Sequence, residues 1–516
     1  MGRVDMRRRD AKADLLFETK HLEDDLKKKA VRGGSFTASS QAINMLLRLL
    51  STAVLARLLT PEDYGLIGMT LVVTGLARVL GDGGGFLYAT LQKKTLSHEE
   101  VSLLFWVNLA IGLTVAIALI VVSPVISMVF DESRLTPLLC LLSLSFFFGG
   151  LSVQHKALLR RQMMFGKISV VDIGSTCVGL GIGIGMAYQG FGYWSLAGME
   201  IGIALSSTLL TWAFMRWVPS RPRRVEGMDS TWKFGGNIFL FNLVNYFTRN
   251  ADNALIGWYW GASALGLYSR AYSLLMLPIR NMNAPFSAVA IPTLSRAAAN
   301  PAKLKRFFLG AVSMVSALSI PVVVGATAFA EDLVLLWLGE NWMATADIFR
   351  ILSIPAFLFG ATQPLAWLFV VMDRTSVMRN IGFVAAPVNV AAFAIGLPYG
   401  PEGVAIGYTI SSCLMFFPLA LLALKGSGVS LWEVLKSWKE PLVSSVPGVL
   451  LGYLIKEWGG GSNPIVMAFL SLGVFALSYV LVMTLFFGWV DRVKSWYSLK
   501  QGKGEGVETN QSRVSV

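Results

Sequence analysis

Apolar segments long enough to cross a lipid bilayer recur along almost the whole chain, from Ser35 to Gly488. A transmembrane helix needs about 20 mainly apolar residues, whereas a strand of a membrane barrel needs about 10 residues that alternate in polarity. We count fourteen segments of the helical kind, and short polar connections join them. The sequence therefore predicts an all-α polytopic membrane protein with about 14 transmembrane helices, and it leaves no room for a soluble catalytic domain.

The composition also indicates a membrane protein. Of the 516 residues, 54% are hydrophobic and only 15% are charged, where a soluble domain carries roughly 25% charged residues. The net charge of +13 is typical of membrane proteins with basic cytoplasmic loops, so we expect no nucleic-acid partner. The three cysteines lie far apart in apolar segments and the three histidines are scattered. This pattern predicts no disulfide, no metal site and no cofactor.

The charges of the connections predict the orientation of the chain. Basic clusters such as Arg160 with Arg161, or Arg223 with Arg224, fall in every second connection, and the other connections carry acids and almost no lysine or arginine. Lysine and arginine are enriched in the cytoplasmic loops of membrane proteins. We therefore expect a multi-pass protein with both termini in the cytoplasm.

A polar linker and an internal repeat divide the chain. The predicted parts are a cytosolic N-terminal tail (1–34), an N-terminal six-helix lobe (35–218), a cytosolic linker (219–232), a C-terminal six-helix lobe (233–425), two additional transmembrane helices (426–490) and a cytosolic tail (491–516). We expect the two lobes to surround a central cavity.

Matching residues at a constant spacing indicate that the two lobes share a topology. Three pairs lie 201 residues apart: Asn44 with Asn245, Arg48 with Arg249, and Gly65 with Gly266 (245−44, 249−48 and 266−65). Two weaker matches follow at other offsets: Met164 with Met372 at 208, and Gly198 with Gly407 at 209. Parallel repeats of this kind are known among transporters.

Arginines recur inside the predicted spans, although a charge at the bilayer centre costs about 2.5–3.5 kcal/mol. Several share helix faces with amides at spacings of three or four residues. The candidate substrate-binding residues are Arg48, Arg57, Arg78, Arg249, Arg270, Arg280, Asn44 and Asn245. A hydrated cavity would accommodate these charges, and arginine binds phosphate oxygens two at a time. We therefore expect a pyrophosphate or an acidic sugar as ligand.

A second interpretation of the arginines stays open. They could only lock neighbouring helices through pairs with acids, as Arg249 could with Asp252. The basic groups outnumber the nearby acids, which favours the cavity for the set as a whole. For any single arginine both interpretations remain.

Four carboxylates in or beside the spans are candidates for ion coupling, because intramembrane acids can relay protons or bind sodium. These candidates are Asp82, Asp172, Glu200 and Asp252. Coupling to H⁺ or Na⁺ is the expectation. Asp172 and Glu200 have no evident partner in the sequence, and a role in helix packing is equally open for them.

One motif resembles a known family. The stretch from Arg48 to Leu66 contains Leu-Ala-Arg-Leu-Leu-Thr-Pro-Glu-Asp-Tyr-Gly-Leu, and it closely resembles the opening of bacterial polysaccharide exporters. The resemblance is to the Wzx and colanic-acid exporter branch of the multidrug/oligosaccharidyl-lipid/polysaccharide (MOP) flippase superfamily. Weaker matches include residues 89–92, 160–165 and 192–196. The glycine run after Asp82 departs from the family pattern.

The resemblance implies a function. A two-lobe bundle of this family moves an undecaprenyl-pyrophosphate-linked oligosaccharide across the bacterial inner membrane by alternating access, for surface polysaccharide or lipopolysaccharide biosynthesis and exopolysaccharide export. It implies that arginines of the cavity bind the anionic head. The expected partners are the lipid-linked oligosaccharide, membrane lipid and a polysaccharide polymerase or export machinery.

Two alternatives remain beside the flippase, which is not an enzyme. A drug or metabolite antiporter of the same superfamily would be expected to feature carboxylates rather than arginines in its lobes. A membrane-embedded saccharide polymerase or ligase would need a sizeable catalytic outer loop. The longest predicted outer connection, about residues 331–345, contains no histidine or arginine.

Overall fold

The computed structural model describes residues 26–81, 97–222, 229–459 and 463–489. These residues form fourteen α-helices, which confirms the predicted all-α fold class. The helices are α1 (Leu26–Leu58), α2 (Pro61–Gly81), α3 (His98–Val129), α4 (Leu135–Arg161), α5 (Phe165–Tyr188), α6 (Trp194–Met215), α7 (Asp229–Ala297), α8 (Pro301–Ala328), α9 (Ala330–Trp337), α10 (Thr345–Val371), α11 (Thr375–Gly396), α12 (Gly400–Leu424), α13 (Leu431–Trp458) and α14 (Pro464–Phe487). Short 3₁₀ turns lie at Glu340–Trp342 and Leu397–Tyr399.

The long helix α7 contains two of the predicted spans. Gly261 interrupts it with φ 78° and ψ −172°, a conformation that only glycine adopts without strain. The two predicted spans are roughly residues 233–258 and 262–294, so this break lies in the short connection between them. The short helix α9 was not predicted. Nearly all of its residues lie in the predicted outer connection of about residues 331–345.

Eight segments of the described chain are long and apolar enough to cross a membrane by length and composition, and one of them contains both α11 and α12. Helix α1 carries Arg48 and Arg57, and α2 carries Arg78 in its last turn.

Local sequence determines where several helices begin. Ser97 and Glu100 form a capping box at α3, and Ser430 and Glu433 form another at α13. Both boxes satisfy backbone N–H groups that have no partner inside the helix. Pro301 starts α8 after an asparagine cap, because proline is favoured at the first helical position.

The chain folds into two compact units. The first comprises Met1–Ala271, Trp337–Ile348 and Ala386–Tyr408, and the second comprises Tyr272–Leu336, Phe349–Ala385 and Thr409–Val516. The lobes predicted at 35–218 and 233–425, like the tails and the linker, stay a prediction.

In the first unit, α3 packs on α4 and α5 packs on α6. Gly179 and Gly183 of α5 make the second contact possible, since a Cβ on either glycine would lie less than 3 Å from a side chain of α6. Small residues at such crossings let helix backbones approach closely.

The second unit has its own apolar core. Phe308 of α8, Trp367 of α10 and Trp438 of α13 are buried in one cluster. Helices α13 and α14 also pack on each other and on α8. The two helices added after the predicted repeats are therefore part of this unit's core packing.

The backbone carries a repeat that the amino-acid identities only partly revealed. The break at Gly261 lies 201 residues after Thr60, the residue that separates α1 from α2 (261−60). Farther along, left-handed residues recur at an offset of 210: Met163 with Asp373, Gly190 with Gly400, and Arg216 with Gly426 (373−163, 400−190 and 426−216). The weaker sequence matches at 208 and 209 were therefore misplaced by one or two residues.

Candidate functional site

The turn between α1 and α2 is a capping box. The Asp63 N–H donates to Thr60 Oγ1 at 3.3 Å, and the Thr60 N–H donates to Asp63 Oδ2 at 2.9 Å. The Thr60 hydroxyl donates to the same carboxylate oxygen at 2.9 Å. Pro61 occupies the first helical position of α2, where no N–H is needed. The Thr-Pro-Glu-Asp part of the family motif therefore defines the start of α2.

Two further connections of the first unit contact this turn. Arg134 Nη2 donates to Glu62 at 2.6 Å and also to Glu132 at 2.6 Å, so it joins the α3–α4 connection to the start of α2. Glu132 lies outside the helices, and its hydrogen bonds from Arg134 lower its pKa. In the α5–α6 connection, a Cβ on Gly192 would lie 3.0 Å from Asp63 Oδ1.

The start of α2 crosses α7 at two glycines. A Cβ on Gly65 would lie 1.6 Å from the carbonyl oxygen of Ala262, and a Cβ on Gly266 would lie 1.8 Å from that of Pro61. Backbone therefore packs against backbone here, and no larger side chain fits without displacement. The glycine pair that first indicated the repeat is a direct contact.

Tyr64 and Trp342 form the apolar side of the same region. Trp342 is fully buried, and its indole N–H donates to the carbonyl of Ala56 at 2.8 Å. The Trp342 ring meets Tyr64 edge to face, with 5.3 Å between ring centroids. Trp337 donates in a similar way to the carbonyl of Leu49 at 3.2 Å. Residues 337–342, from the end of α9 onwards, are thus held against α1 by two indole hydrogen bonds.

Arg270, a predicted substrate-binding residue, lies beside Tyr64. Its guanidinium carbon lies 4.6 Å from the centroid of the Tyr64 ring, which is a cation–π distance. The side chain is half-buried, and its Nε atom is buried with no hydrogen-bond partner. Within the described part of the chain no ion pair involves Arg270. The Nε–H of Arg270 is therefore a donor that the described residues leave unused.

Asp252 is buried in the first unit, nine residues before the break in α7 at Gly261 (261−252). The Tyr268 hydroxyl donates to its Oδ2 at 3.0 Å, and the N–H of Asn253 donates to its Oδ1 at 2.8 Å. Tyr268 itself is fully buried. Tyr268 lies after Gly261 and Asp252 lies before it, so the hydrogen bond joins the two halves of α7. The carboxylate predicted as an ion-coupling candidate is thus placed in a closed, hydrogen-bonded position.

Two predicted site residues pair with each other. Arg78 Nη2 lies 3.2 Å from Glu200 Oε2, with the Arg78 side chain 52% exposed and the Glu200 side chain 35% exposed. The sequence showed no evident partner for Glu200, and the structure places Arg78 beside it. Their separation of 122 positions in sequence hid the pair. This contact is of the helix-locking kind that the sequence left open for single arginines.

The remaining candidates are scattered along their helices. Arg48 is exposed on α1, and the buried Oδ1 of Asn44, one turn earlier, has no partner among the described residues. Arg57 is exposed at the end of α1, and its Cγ lies beside Gly339. In the second unit Arg280 donates to the hydroxyl of Tyr272 at 3.0 Å.

Asp82 lies outside the described residues, and at Asn245 and Arg249 only the helical backbone is described. Asp172 is exposed on α5. The predicted pair of Arg249 with Asp252 therefore stays a prediction.

The structure adds three residues to the region around Arg270 that sequence reasoning did not select. Tyr64 lies inside the family motif, which was a signal that could have been used. Tyr268 and Trp342 had no local signal, because each acts on a residue that is distant in sequence. The described residues contain no group of three or more His, Cys, Asp or Glu side chains arranged to hold a metal ion.

Comparison with known proteins places this geometry in context. The profile of a family described as "Polysaccharide biosynthesis protein" matches residues 54–347, more than half of the chain. The chain is 25% identical over 441 residues to the lipopolysaccharide biosynthesis protein WzxC of Escherichia coli (strain K12), covering 83% of this chain and 88% of that protein. It is 26% identical over 339 residues to the teichuronic acid biosynthesis protein TuaB of Bacillus subtilis (strain 168), covering 65% and 70% respectively.

A solved structure has the same fold. The lipid II flippase MurJ, in an inward closed conformation, matches with a TM-score of 0.69 and 16% identity, over 88% of this chain and 99% of that chain. At this identity the likeness concerns the fold alone.

Proposed function

The chain belongs to the family of polysaccharide biosynthesis proteins, and from this premise we propose that it is a flippase for a lipid-linked oligosaccharide. The proposed substrate is an undecaprenyl-pyrophosphate-linked saccharide, which the protein moves across the bacterial inner membrane by alternating access. The observation that carries the proposal is the similarity to WzxC over most of both chains, together with a MurJ-like fold.

The arginines support an anionic substrate. Arg270 is half-buried without a carboxylate partner in the described chain, and Arg48 is exposed on α1. Arginine binds pyrophosphate oxygens through paired, charge-assisted hydrogen bonds. We assign Arg270 and Arg48 as the principal contacts to the pyrophosphate, with Arg249, Arg57, Arg280, Asn44 and Asn245 as further candidates.

An ion gradient is the proposed source of energy. Asp252 is the candidate that fits best among the four carboxylates, since it is buried, lacks a cationic partner in the described chain and accepts a hydrogen bond from Tyr268. The charge of Glu200 is already balanced by Arg78. We propose coupling to H⁺ or Na⁺ through Asp252, with both termini in the cytoplasm and a polymerase or export complex as the downstream partner.

Reconstituted vesicles test the flippase directly. Purified full-length protein is placed in liposomes that contain a fluorescent pyrophosphate-linked oligosaccharide lipid, and quenching from outside measures the fraction that reaches the outer leaflet. We expect the wild type to equilibrate the lipid between leaflets. Arg270→Ala and Arg48→Ala should each slow the movement roughly ten-fold or more, because a charge-assisted hydrogen bond is lost.

The matched control is Arg296→Ala, an exposed arginine in the last turn of α7, which should transport at the wild-type rate. Movement no faster than in protein-free vesicles would overturn the flippase. Wild-type rates in both Arg270→Ala and Arg48→Ala, at equal protein content, would overturn the assignment of the arginines.

A further inference from the structure

We propose that Trp342 and Tyr64 are positioning residues that set the orientation of Arg270 for a pyrophosphate group. The inference rests on the proposed function, and it goes beyond it by naming what holds the arginine. Three contacts carry it, all within the first unit: Ala56 with Trp342, Trp342 with Tyr64, and Tyr64 with Arg270.

The first contact anchors the indole. In a continuing helix the Ala56 carbonyl would accept from the N–H of Thr60, four residues later. That N–H instead donates to the Asp63 carboxylate in the capping box. The carbonyl is therefore one of the unsatisfied groups that every helix end leaves, and the Trp342 N–H occupies it at 2.8 Å. The capping box thus creates the acceptor that fixes Trp342.

The second contact fixes the phenol ring. Trp342 is fully buried and 5% of Tyr64 is exposed, and their rings are inclined by 79° with centroids 5.3 Å apart. This edge-to-face arrangement is a favoured geometry for aromatic pairs. Tyr64 also follows Asp63 directly, so the capping box holds its backbone. The ring therefore has little freedom to turn.

The third contact presents the guanidinium. The Arg270 guanidinium carbon lies 4.6 Å from the centroid of the fixed Tyr64 ring, and Nε is buried without a hydrogen-bond partner. A guanidinium held against a fixed ring offers its remaining N–H groups in a defined direction. Defined direction matters for a pyrophosphate, whose oxygens are bound two at a time, and matters less for a single phosphate approached as a point charge.

Equilibrium binding to the full-length protein in detergent tests the inference. The probes are radiolabelled undecaprenyl pyrophosphate and undecaprenyl monophosphate, and the measured quantity is the ratio of their Kd values. Tyr64→Leu and Trp342→Leu should reduce the preference for pyrophosphate roughly three- to ten-fold, as expected for loss of a cation–π contact. Tyr64→Phe keeps the ring contacts and should retain most of the preference, whereas Trp342→Phe loses the hydrogen bond to the Ala56 carbonyl and should reduce the preference by less than Trp342→Leu does.

A second arm separates positioning from general stability. In an Arg270→Lys background, Trp342→Leu and Tyr64→Leu should cause no further change in the Kd ratio, because the group they orient is gone. Trp367→Leu serves as control, since Trp367 is also buried and its indole also donates a hydrogen bond, to Ser287 in the second unit. It should lower stability without changing the ratio.

The outcomes are distinct. If the wild type binds neither probe, the proposed function fails. If the wild type prefers pyrophosphate and both leucine variants keep that preference, the positioning inference is overturned while the flippase stands. The inference is also overturned if Trp342→Leu and Tyr64→Leu reduce the preference as much in the Arg270→Lys background as they do in the wild type. Tyr64→Leu carries the test alone if Trp342→Leu does not fold.

Discussion

Gly65 and Gly266 occupy matching positions 201 residues apart, and each faces the helix start of the other's repeat. Gly65 meets the carbonyl of Ala262, and Gly266 meets the carbonyl of Pro61. Positions 61 and 262 are themselves 201 apart (262−61). A reciprocal contact of this kind is what a two-fold axis between repeats produces, as in an isologous dimer interface.

The crossing predicts a steric cost for any side chain at these glycines. Gly65→Ala and Gly266→Ala should each destabilise the protein by about 1–3 kcal/mol, because the new Cβ overlaps a backbone oxygen that cannot move alone. The measurement is the apparent Tm of the purified protein in detergent. Gly149→Ala is the control, since a Cβ at Gly149 meets nothing within 4 Å.

The double variant, Gly65→Ala with Gly266→Ala, tests the same crossing. Because both alanines open one crossing, their combined effect should be smaller than the sum of the single effects. Strict additivity would mean that the two contacts are independent, and unchanged Tm values in both single variants would contradict the crossing.

The capping box at Thr60 predicts a second stability effect. Thr60→Val keeps the shape of the side chain and removes the hydroxyl that accepts from the Asp63 N–H, so it should cost about 1 kcal/mol. Thr52→Val is the matched control, because the Thr52 hydroxyl only donates to the Arg48 carbonyl within α1. Equal Tm values for the two variants would show that the cap adds nothing.

The pair of Arg134 with Glu132 predicts a pH dependence. Hydrogen bonding to Arg134 lowers the pKa of Glu132 in the folded protein, so the ionised carboxylate stabilises the fold. This contribution is present at neutral pH and is lost as the pH falls from the ordinary glutamate pKa through the lower folded value. Since the pair is partly exposed, we expect no more than about 1 kcal/mol.

The measurement compares wild type with Arg134→Gln between pH 7 and pH 3. The two Tm curves should be separated at pH 7 and should converge in the acidic range. Curves that stay parallel over the whole range would assign the effect of Arg134 to packing instead of to ionisation.

The contact between Arg78 and Glu200 predicts the result of a charge exchange. If the pair locks α2 to α6, Arg78→Glu should lower the amount of folded protein, and the double change Arg78→Glu with Glu200→Arg should restore both folded protein and transport. We expect restoration, because the two side chains are already 3.2 Å apart. If the protein with both changes is present in normal amount but does not transport, Arg78 would instead be assigned to substrate binding.

Much of the helix pattern could be predicted from local sequence. Apolar runs separated by polar turns marked most of the helices within a few residues, whereas α1 begins nine residues before the predicted span at residue 35. The Thr-Pro-Glu-Asp motif marked the start of α2. The repeat spacing of 201 was visible because positions 65 and 266 are under the same steric constraint, and both are therefore glycine. The offset of 210 was not visible, because a left-handed residue can be glycine at one position and arginine at the other, as at Gly426 and Arg216.

The assignment of charged residues was less predictable. Arg78 with Glu200, and Asp252 with Tyr268, depend on which helix faces meet, and helical spacing describes only one helix at a time.

By itself the sequence determined the all-α class, the succession of helices, the repeat at 201 and the family, because each of these depends on hydrophobic length, turn chemistry or a short motif. Only the tertiary structure decided that Trp342 caps α1, that Tyr64 lies between Trp342 and Arg270, and that Arg78 is paired. The physical reason is that hydrogen bonds, ring contacts and ion pairs act over a few ångströms in space. The residues that make them are separated here by up to 288 positions in the chain.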